Sequence, residues 1–283
     1  MFRSKLVIIL GLLFLNISAS AQAQSAESIV PDFQSIIGGS DVQSGDPVAA
    51  NTVLIVGKDG DSTFICSGSI IDRDIILTAA HCLGVDGLAR VVVAFRTDIK
   101  GTGQIIPVSD RRRMGDFLDR AGSSPTDWHD LALVKLAQPI PAGYSIAKFL
   151  PSPNMLQNGS KVTLAGYGMT SPLADPNSKD GNGAGKLRKV EQSVINNAYG
   201  STEFLVSLKD NKGACHGDSG GPAFVRQGNE LYLIGVASRM TENDRVANNG
   251  DANDYACSVE MVYSNALSLM DWIRTNVNQL HGK

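Results

Sequence analysis

The 283-residue sequence predicts an all-β fold, either a barrel or a sandwich, that ends in one helix. Most apolar residues fall in short segments of strand length, and clusters of Gly, Pro, Asn and Asp separate them. The last segment, 264–279, has helical spacing instead and predicts an amphipathic helix packed on the body. Its apolar positions are Leu267, Met270, Ile273 and Val277. The predicted strands include 52–56, 63–65, 69–71, 91–95, 131–136, 161–165, 203–208 and 231–236.

The first residues have the three parts of a secretory signal peptide. Arg3 and Lys5 precede an apolar run over 6–15, and residues 21–23 read Ala-Gln-Ala, which matches a cleavage site. The run is shorter than the roughly 20 residues that span a bilayer, and no later segment is long and apolar enough to do so. We therefore expect a signal peptide over 1–23 and an exported protein, located outside the cell or in the periplasm, without a membrane anchor.

The charge of the chain limits its partners. A formal net charge of -3 gives no reason to expect nucleic acid or an anionic membrane as a partner. The short basic run 111–113 is predicted to lie in a solvated loop. About 260 residues follow the predicted signal, which is enough for one large core or two small ones.

The four cysteines predict disulfides, because an exported chain with an even number of cysteines usually pairs them. Four cysteines allow three pairings, and spacing alone does not choose among them. The sequence contains no Cys-x-x-Cys motif and no histidine cluster, so we expect no metal site and no cofactor. The cysteines are Cys66, Cys82, Cys215 and Cys257.

Three short motifs carry the candidate chemistry. Residues 217–222 read Gly-Asp-Ser-Gly-Gly-Pro, so Ser219 can occupy a tight turn with an exposed hydroxyl next to backbone N–H groups. Such a segment alone can also be an ordinary loop. Residues 77–82, Leu-Thr-Ala-Ala-His-Cys, and 129–133, His-Asp-Leu-Ala-Leu, add a base, His81, and an acid, Asp130. Together the three motifs predict nucleophilic catalysis by serine.

The order of these motifs and their local sequences resemble the chymotrypsin/trypsin family of serine endopeptidases, from about Ile36 to the C-terminal helix. The resemblance implies two antiparallel six-stranded β-barrels with a C-terminal α-helix. The protease domain would span 36–278, with an N-terminal barrel over about 36–138 and a C-terminal barrel and helix over about 139–278. The active site would lie in the cleft between the barrels.

The resemblance assigns roles to the motif residues. Ser219 would be the nucleophile, His81 the general base, and Asp130 the group that orients and stabilises the imidazolium. The backbone N–H groups of Gly217 and Ser219 would form the oxyanion hole. Ser238 matches the serine that supports the buried aspartate, although an ordinary polar strand end is a nearly equal interpretation.

The resemblance also selects a disulfide pairing. Cys66–Cys82 would brace the histidine, and Cys215–Cys257 would brace the specificity pocket. Such a small number of bridges is more typical of a bacterial member of the family than of an animal one.

Residues 36–39 read Ile-Ile-Gly-Gly and resemble the new N-terminus that activation creates in this family. Residues 24–35 would then be a propeptide and the chain a zymogen, in which the freed ammonium of Ile36 pairs with Asp218. An extended strand is the alternative interpretation. The family usually has Arg or Lys before the cut, whereas this chain has Ser35, so a trypsin-like activator is not expected.

The candidate specificity pocket departs from that of trypsin. Gly213 stands where trypsin-like members have an aspartate, and Ala214 follows it. Met240 and Met261 align with the pocket walls and would narrow the pocket. We therefore expect small or medium apolar residues before the scissile bond, in the manner of elastase.

Two further side chains could contact the substrate. His216 would lie at the rim of the cleft. Arg239 replaces a residue that is usually aromatic in the family, and it could attract an acidic substrate side chain.

The sequence therefore predicts a secreted monomeric serine endopeptidase that acts through an acyl-enzyme. Its expected partners are protein or peptide substrates, an activating protease and protein inhibitors. A catalytically silent homologue that serves as a binding protein is the alternative function. An esterase of the α/β-hydrolase type is not favoured, because His81 precedes the nucleophile and no alternating strand and helix pattern follows.

Overall fold

The computed structural model describes residues 36–84, 89–171, 182–241, 257 and 259–282. The predicted signal peptide and propeptide lie outside these residues. None of the helices in the described ranges is long and apolar enough to cross a membrane.

Six antiparallel strands close the first barrel in the order β2-β3-β4-β7-β6-β5. Apolar residues on successive positions of these strands are buried, because one face of the sheet lines the barrel and parts of the other are covered by the rest of the molecule. A short strand β1 precedes the barrel. The strands are β1 Ser40–Asp41, β2 Thr52–Asp59, β3 Ser62–Asp72, β4 Ile75–Thr78, β5 Arg90–Phe95, β6 Gln104–Arg113 and β7 Ala132–Leu136.

A second barrel follows, in which β9, β10, β11, β14, β13 and β12 pair in this order and β12 returns to β9. Two short strands extend this sheet: β1 pairs with β10, and β8 pairs with β13 in parallel. The two closed six-stranded barrels confirm the predicted fold class. The strands are β8 Lys148–Phe149, β9 Lys161–Gly166, β10 Arg188–Asn196, β11 Glu203–Ser207, β12 Pro222–Gln227, β13 Glu230–Met240 and β14 Glu260–Asn265.

The described helices are few and short. The α-helices are α1 Pro47–Asn51, α2 Phe117–Arg120 and α3 Met270–Leu280, and the 3₁₀-helices are Ala80–Leu83, Pro153–Met155 and Lys209–Asn211. The C-terminal helix begins at Met270 and not at the predicted residue 264, because residues 260–265 form strand β14. The Asn265 side chain accepts the N–H groups of Leu267 and Ser268, which makes a turn between strand and helix.

The C-terminal helix is docked on the first barrel. Ile273 and Leu280 are buried on its inner face. The ammonium of Lys135 on β7 donates to the last helical carbonyl, that of Leu280, at 2.6 Å. His281 Nε2 lies 2.8 Å from Asp74 Oδ1, so the helix end is held by polar as well as apolar contacts.

Two details of the first barrel differ from the sequence prediction. Segments 63–65 and 69–71 belong to one strand, β3. The basic run at 111–113 ends strand β6 and pairs with residues 132–134 of β7, so it is not a loop. Half-exposed positions of a sheet accept charged side chains, so a run of charged residues does not by itself indicate a loop.

Candidate active site

Strand pairing brings the candidate base and acid together. Thr78, at the end of β4, pairs with Ala132, at the start of β7. His81 follows β4 in a 3₁₀-helix, and Asp130 precedes β7, so the two residues lie at the same end of the barrel. His81 Nδ1 is 2.7 Å from Asp130 Oδ2, and the His81 N–H donates to Oδ1 at 3.0 Å.

Besides His81 of the first barrel, Asp130 has two hydrogen-bond partners on the second barrel. Ser238 Oγ of β13 donates to Oδ2 at 2.7 Å, and Ser264 Oγ of β14 donates to the Asp130 carbonyl at 3.0 Å. Burial of the carboxyl raises its pKa, but the charge of His81 and the hydrogen bonds from His81 and Ser238 outweigh burial, so the pKa of Asp130 is lowered. Asp130 thus stays ionised behind the imidazole.

The imidazole of His81 joins this buried acid to the cleft. Its side chain is 37% exposed, whereas that of Asp130 is 2% exposed. Burial disfavours the imidazolium, but the charge of Asp130 and its hydrogen bond outweigh burial, so the pKa of His81 is raised above its usual 6.5. This arrangement stabilises a proton on His81, as a general base requires.

Ser219 lies in a turn whose backbone is fixed by hydrogen bonds. The Asp218 N–H donates to the Cys215 carbonyl, and the Gly220 N–H donates to that of Ala237. Among the described residues, no hydrogen bond uses the N–H groups of Gly217 and Ser219. Gly217 has φ 91°, and a Cβ there would lie 2.9 Å from the Gly168 Cα, so glycine is required.

Ser67 of β3 connects the turn of Ser219 to the first barrel. Its N–H donates to the Ser219 carbonyl at 2.7 Å, and its hydroxyl donates to the Gly217 carbonyl at 3.2 Å. The same hydroxyl accepts the Tyr167 N–H at 3.0 Å. Ser67 was not found from the sequence, because β3 contains three serines and nothing in the local sequence distinguishes Ser67 from the other two.

The three candidate triad residues, His81, Asp130 and Ser219, line one cavity of about 730 Å³. In the described chain no hydrogen bond joins the Ser219 hydroxyl to His81, and such bonds often tighten only when substrate is present. Beyond the candidate triad, the wall combines apolar and aromatic side chains with polar ones. It comprises His81, Phe117, Gly122, Ser123, Ser124, Pro125, Trp128, Asp130, Tyr199, Cys215, His216, Ser219, Ser238, Arg239, Met240, Thr241 and Met261.

The residues of the candidate specificity pocket separate into two groups. Met240 and Met261 are cross-strand neighbours on β13 and β14, and both line the cavity, as does the exposed His216. Gly213 and Ala214 are buried and do not belong to the cavity wall formed by the described residues. Gly213 has φ 147°, a backbone conformation that favours glycine, and a Cβ on it would lie 2.1 Å from the Leu208 Cδ2.

Ile36 and Asp218 are both fully buried. Ile36 packs in the apolar core of the second barrel, and Ile37 forms a bridge with Gly213. The Asp218 carboxylate accepts the N–H groups of Gly168 and Cys215, each at 2.8 Å. Burial raises the pKa of Asp218 to about 7, although these two hydrogen bonds lower it.

Both disulfides flank the site. Cys66–Cys82 joins β3 to the helical turn of His81, and Cys215–Cys257 anchors the segment that precedes Ser219. These pairings are the ones implied by the family resemblance. With their sulfurs in disulfides, the cysteines beside His81 and His216 are not thiolate ligands for a metal.

One other group of metal-ligand side chains lies outside the cavity wall. Asp72, Asp74 and His281 bring their side-chain atoms together at the end of the C-terminal helix. His281 already pairs with Asp74 there, and the Asp72 carboxylate accepts the Arg73 N–H.

The family model for trypsin matches residues 36–272. This range includes His81, Asp130 and Ser219 and most of the described structure. The chain therefore belongs to the trypsin family of serine proteases.

Curated relatives and a solved structure agree with this family. The CLIP domain-containing serine protease C9 of Anopheles gambiae is 26% identical over 75% of this chain and 60% of its own length. Serine protease SP24D of Anopheles gambiae is 29% identical over 74% and 73%. Phenoloxidase-activating factor 3 of Holotrichia diomphalia is 23% identical over 91% and 77%. The solved structure of HL collagenase, 22% identical, covers 86% of this chain and 99% of its own with a TM-score of 0.67, and it supports the fold alone.

Proposed function

We propose that this protein is a serine endopeptidase that cuts peptide bonds with Ser219 as nucleophile. The observation that carries the proposal is the hydrogen-bonded series from Ser238 through Asp130 to His81, which reaches the cavity that contains Ser219. This series supplies an ionised acid and an oriented base, and the Ser219 hydroxyl in the same cavity supplies the nucleophile.

The geometry supports hydrolysis in two steps. Ser219 Oγ adds to the substrate carbonyl carbon while its proton passes to His81 Nε2, and the charge on the carbonyl oxygen is stabilised by the N–H groups of Gly217 and Ser219. His81 then donates the proton to the leaving amine as the C–N bond breaks, leaving an acyl-Ser219. Water, deprotonated by His81, hydrolyses this ester and regenerates the serine.

The proposal includes export and activation. Residues 1–23 would direct export, and removal of 24–35 would create an N-terminus at Ile36. Ile36 is buried in the same barrel as the Asp218 carboxyl, and an α-ammonium there would satisfy a carboxyl that lacks an ion pair among the described residues. The activating protease would cut after Ser35, which excludes an enzyme specific for Arg or Lys.

We expect preference for small or medium apolar residues before the scissile bond. No carboxylate stands at Gly213 to pair with a basic side chain, and the Met240–Met261 pair adds apolar surface to the cavity wall. Substrates would be proteins or peptides, and protein inhibitors that fill the same cavity are the further expected partners.

The test is intact mass and N-terminal sequencing of the exported protein, before and after reaction with a fluorophosphonate probe, with Ser219→Ala as the matched control. A chain that begins at Ile36, gains one label that Ser219→Ala lacks, and cleaves apolar better than basic peptides supports the proposal. A chain that begins at Ile36 and takes no label would contradict it and point to a catalytically silent homologue. Preference for Arg or Lys would overturn the proposed specificity.

A further inference from the structure

A buried carboxylate on the second barrel holds the backbone that leads into Asp130. Glu203 on β11 has a side chain that is 1% exposed. Its Oε2 accepts the Asp127 N–H at 2.9 Å, and its Oε1 accepts the Trp128 N–H at 3.0 Å. Each of these oxygens also accepts one N–H of the Arg239 guanidinium, Oε1 at 2.6 Å and Oε2 at 2.9 Å. The carboxylate therefore joins the guanidinium on one side to the backbone of 127 and 128 on the other.

Arg239 fixes the orientation of this carboxylate. It lies on β13 directly after Ser238, and it binds both Glu203 oxygens in a bidentate geometry, which is strong and directional. A buried carboxylate without such a partner would be strongly destabilising. The charge of Arg239 is thus matched within the protein, which corrects the expectation from the sequence that it attracts an acidic substrate side chain.

The side chain of Asp127 holds the same segment a second time. Its carboxylate accepts the N–H groups of Ser201 and Thr202, at 2.9 and 2.7 Å, and the Thr202 hydroxyl at 2.7 Å. Asp127 and His129 have φ 57° and 56°, conformations that residues other than glycine keep only where the surroundings fix them. Without these contacts the backbone would relax, and the next residue, Asp130, would move with it.

Neighbouring strands of the same barrel hold Asp130 itself. Glu203 on β11 pairs with Ser264 on β14, whose hydroxyl donates to the Asp130 carbonyl at 3.0 Å. On the next strand, β13, the Ser238 hydroxyl donates to the Asp130 carboxylate at 2.7 Å. Glu203 thus belongs to a group of side chains on three adjacent strands that together fix the segment 127–130.

We propose that Glu203 is a positioning residue of the candidate site: by holding the backbone of 127 and 128, it sets the place of Asp130 against His81. This inference rests on the proposed peptidase function. Glu203 and Asp127 do not belong to the cavity wall formed by the described residues, so they would act on the reaction through Asp130. The contact to be preserved is the one of 2.7 Å between His81 Nδ1 and Asp130 Oδ2. A displacement of about 1 Å in such a constellation can lower a rate by about a hundredfold.

The kinetic test uses Glu203→Gln/Arg239→Gln in the activated protein. An amide offers one oxygen where the carboxylate offers two, so the segment loses an acceptor. Because both charges are removed together, the net charge is unchanged and neither charge is left buried alone. The kcat should fall by about tenfold to a hundredfold, while KM changes by less than about threefold. Arg239→Lys keeps a cation and both acceptors, so its kcat should fall less.

Substitution of Asp127 tests the same segment without a change to the ion pair. Asp127→Ala removes the contacts with Ser201 and Thr202 and should also lower kcat. Asp127→Asn removes the same charge but keeps an acceptor oxygen, and asparagine tolerates a positive φ, so it should restore most of the kcat.

Lys189→Gln/Asp46→Asn is the matched control. This ion pair joins β10 of the second barrel to the residue before α1, and it lies outside the cavity wall of the described chain. Its removal also leaves the net charge unchanged. The kcat of this variant should stay within about twofold of the parent, even where the free energy of unfolding falls.

An NMR titration of His81 does not depend on turnover. It uses the full chain with Ser219→Ala in every protein, and because the chain has four histidines, the His81 signals are assigned by their loss in His81→Ala. The Asp130 charge raises the pKa of His81 above its usual 6.5, so the midpoint should lie above 6.5 in the parent and fall toward it in Glu203→Gln/Arg239→Gln. If the midpoint falls while the wild type neither cleaves peptides nor takes a fluorophosphonate label, the peptidase function is wrong and the positioning of Asp130 by Glu203 stands.

Three results would overturn the inference. One is a kcat of Glu203→Gln/Arg239→Gln within about twofold of the parent. Another is a His81 midpoint in that variant within about 0.2 of the parent value, because Asp130 would then not have moved. The third is an equal fall of kcat in Lys189→Gln/Asp46→Asn, which would attribute the loss to stability alone.

Discussion

Substitution of Asp218 by Asn tests how much the ionisation of this buried carboxyl, which the activation proposal invokes, lowers the free energy of unfolding. Burial raises the pKa of this carboxyl from 3.8 to about 7 in the full chain. The charge of Arg188 lowers it only in part, and Arg188 forms its ion pair with Asp41 instead. Between these two values the folded protein retains a proton that the unfolded chain releases. The free energy of unfolding of the parent chain therefore falls as pH rises from about 4 to 7, by about 4 kcal/mol at 1.36 kcal/mol per pKa unit.

The unfolding free energy of the Asn variant should not show this fall with pH, but it should be lower by a constant amount at every pH. Both carboxylate oxygens accept backbone N–H groups, from Gly168 and Cys215, whereas an amide offers one oxygen only. Leaving one donor unpaired costs about 1–3 kcal/mol at any pH. Asp218→Asn should thus be less stable than its parent at pH 4 and equally or more stable at pH 8.

The assay is urea unfolding of the uncut chain at five pH values from 4 to 8, with Ser219→Ala in every protein to prevent self-cleavage. The quantity of interest is the difference in unfolding free energy between parent and variant, because other titrating groups cancel. Asp61→Asn, in an exposed turn, controls for the loss of one negative charge. A difference that changes by less than about 1 kcal/mol across this range would refute the reasoning.

Three other substitutions or profiles test the site and the helix. Because the pKa of His81 is raised, kcat/KM should fall at acid pH with a midpoint above 6.5, and a midpoint below 6.5 would contradict the proposed coupling to Asp130. Ser238→Ala removes one hydrogen bond to the Asp130 carboxylate and should lower kcat/KM by roughly tenfold or more, with activity retained in Ser238→Thr. His281→Ala removes the contact with Asp74 and should lower the unfolding free energy by about 1–3 kcal/mol in urea, while kcat/KM stays the same. A fall in the kcat/KM of His281→Ala would show instead that the C-terminal helix also shapes the site.

The core of the candidate site could be predicted because its residues lie in short contiguous motifs. The sequences around His81, Asp130 and Ser219 each combine a reactive side chain with small or apolar neighbours, and such a pattern is visible without a structure. The all-β class was visible for a similar reason, since buried strands such as Thr52–Asp59 appear as apolar runs.

The parts that escaped prediction depend on long-range contacts or mixed patterns. Strand β10 consists mostly of charged and polar residues and buries only Val190 and Val194, so no apolar run marks it. Glu203 is an acidic residue in an otherwise largely apolar strand. The groups that bind its carboxylate, the Arg239 guanidinium and the Trp128 N–H, are distant in sequence, so no local pattern reveals them. The helix start was misplaced because Leu267 continues the helical spacing backwards into a turn.

The hydrogen bonds of Ser67 show that the candidate site depends on contacts between the two barrels. Ser67 belongs to the half that carries His81 and Asp130, yet its N–H and hydroxyl hold the turn of Ser219. Ser238 crosses the junction in the opposite direction to reach Asp130. Neither half alone contains all three candidate triad residues. If the proposed function is right, a chain divided between the barrels should be inactive until its fragments reassociate, and recovery of Ser219 labelling would report their correct docking.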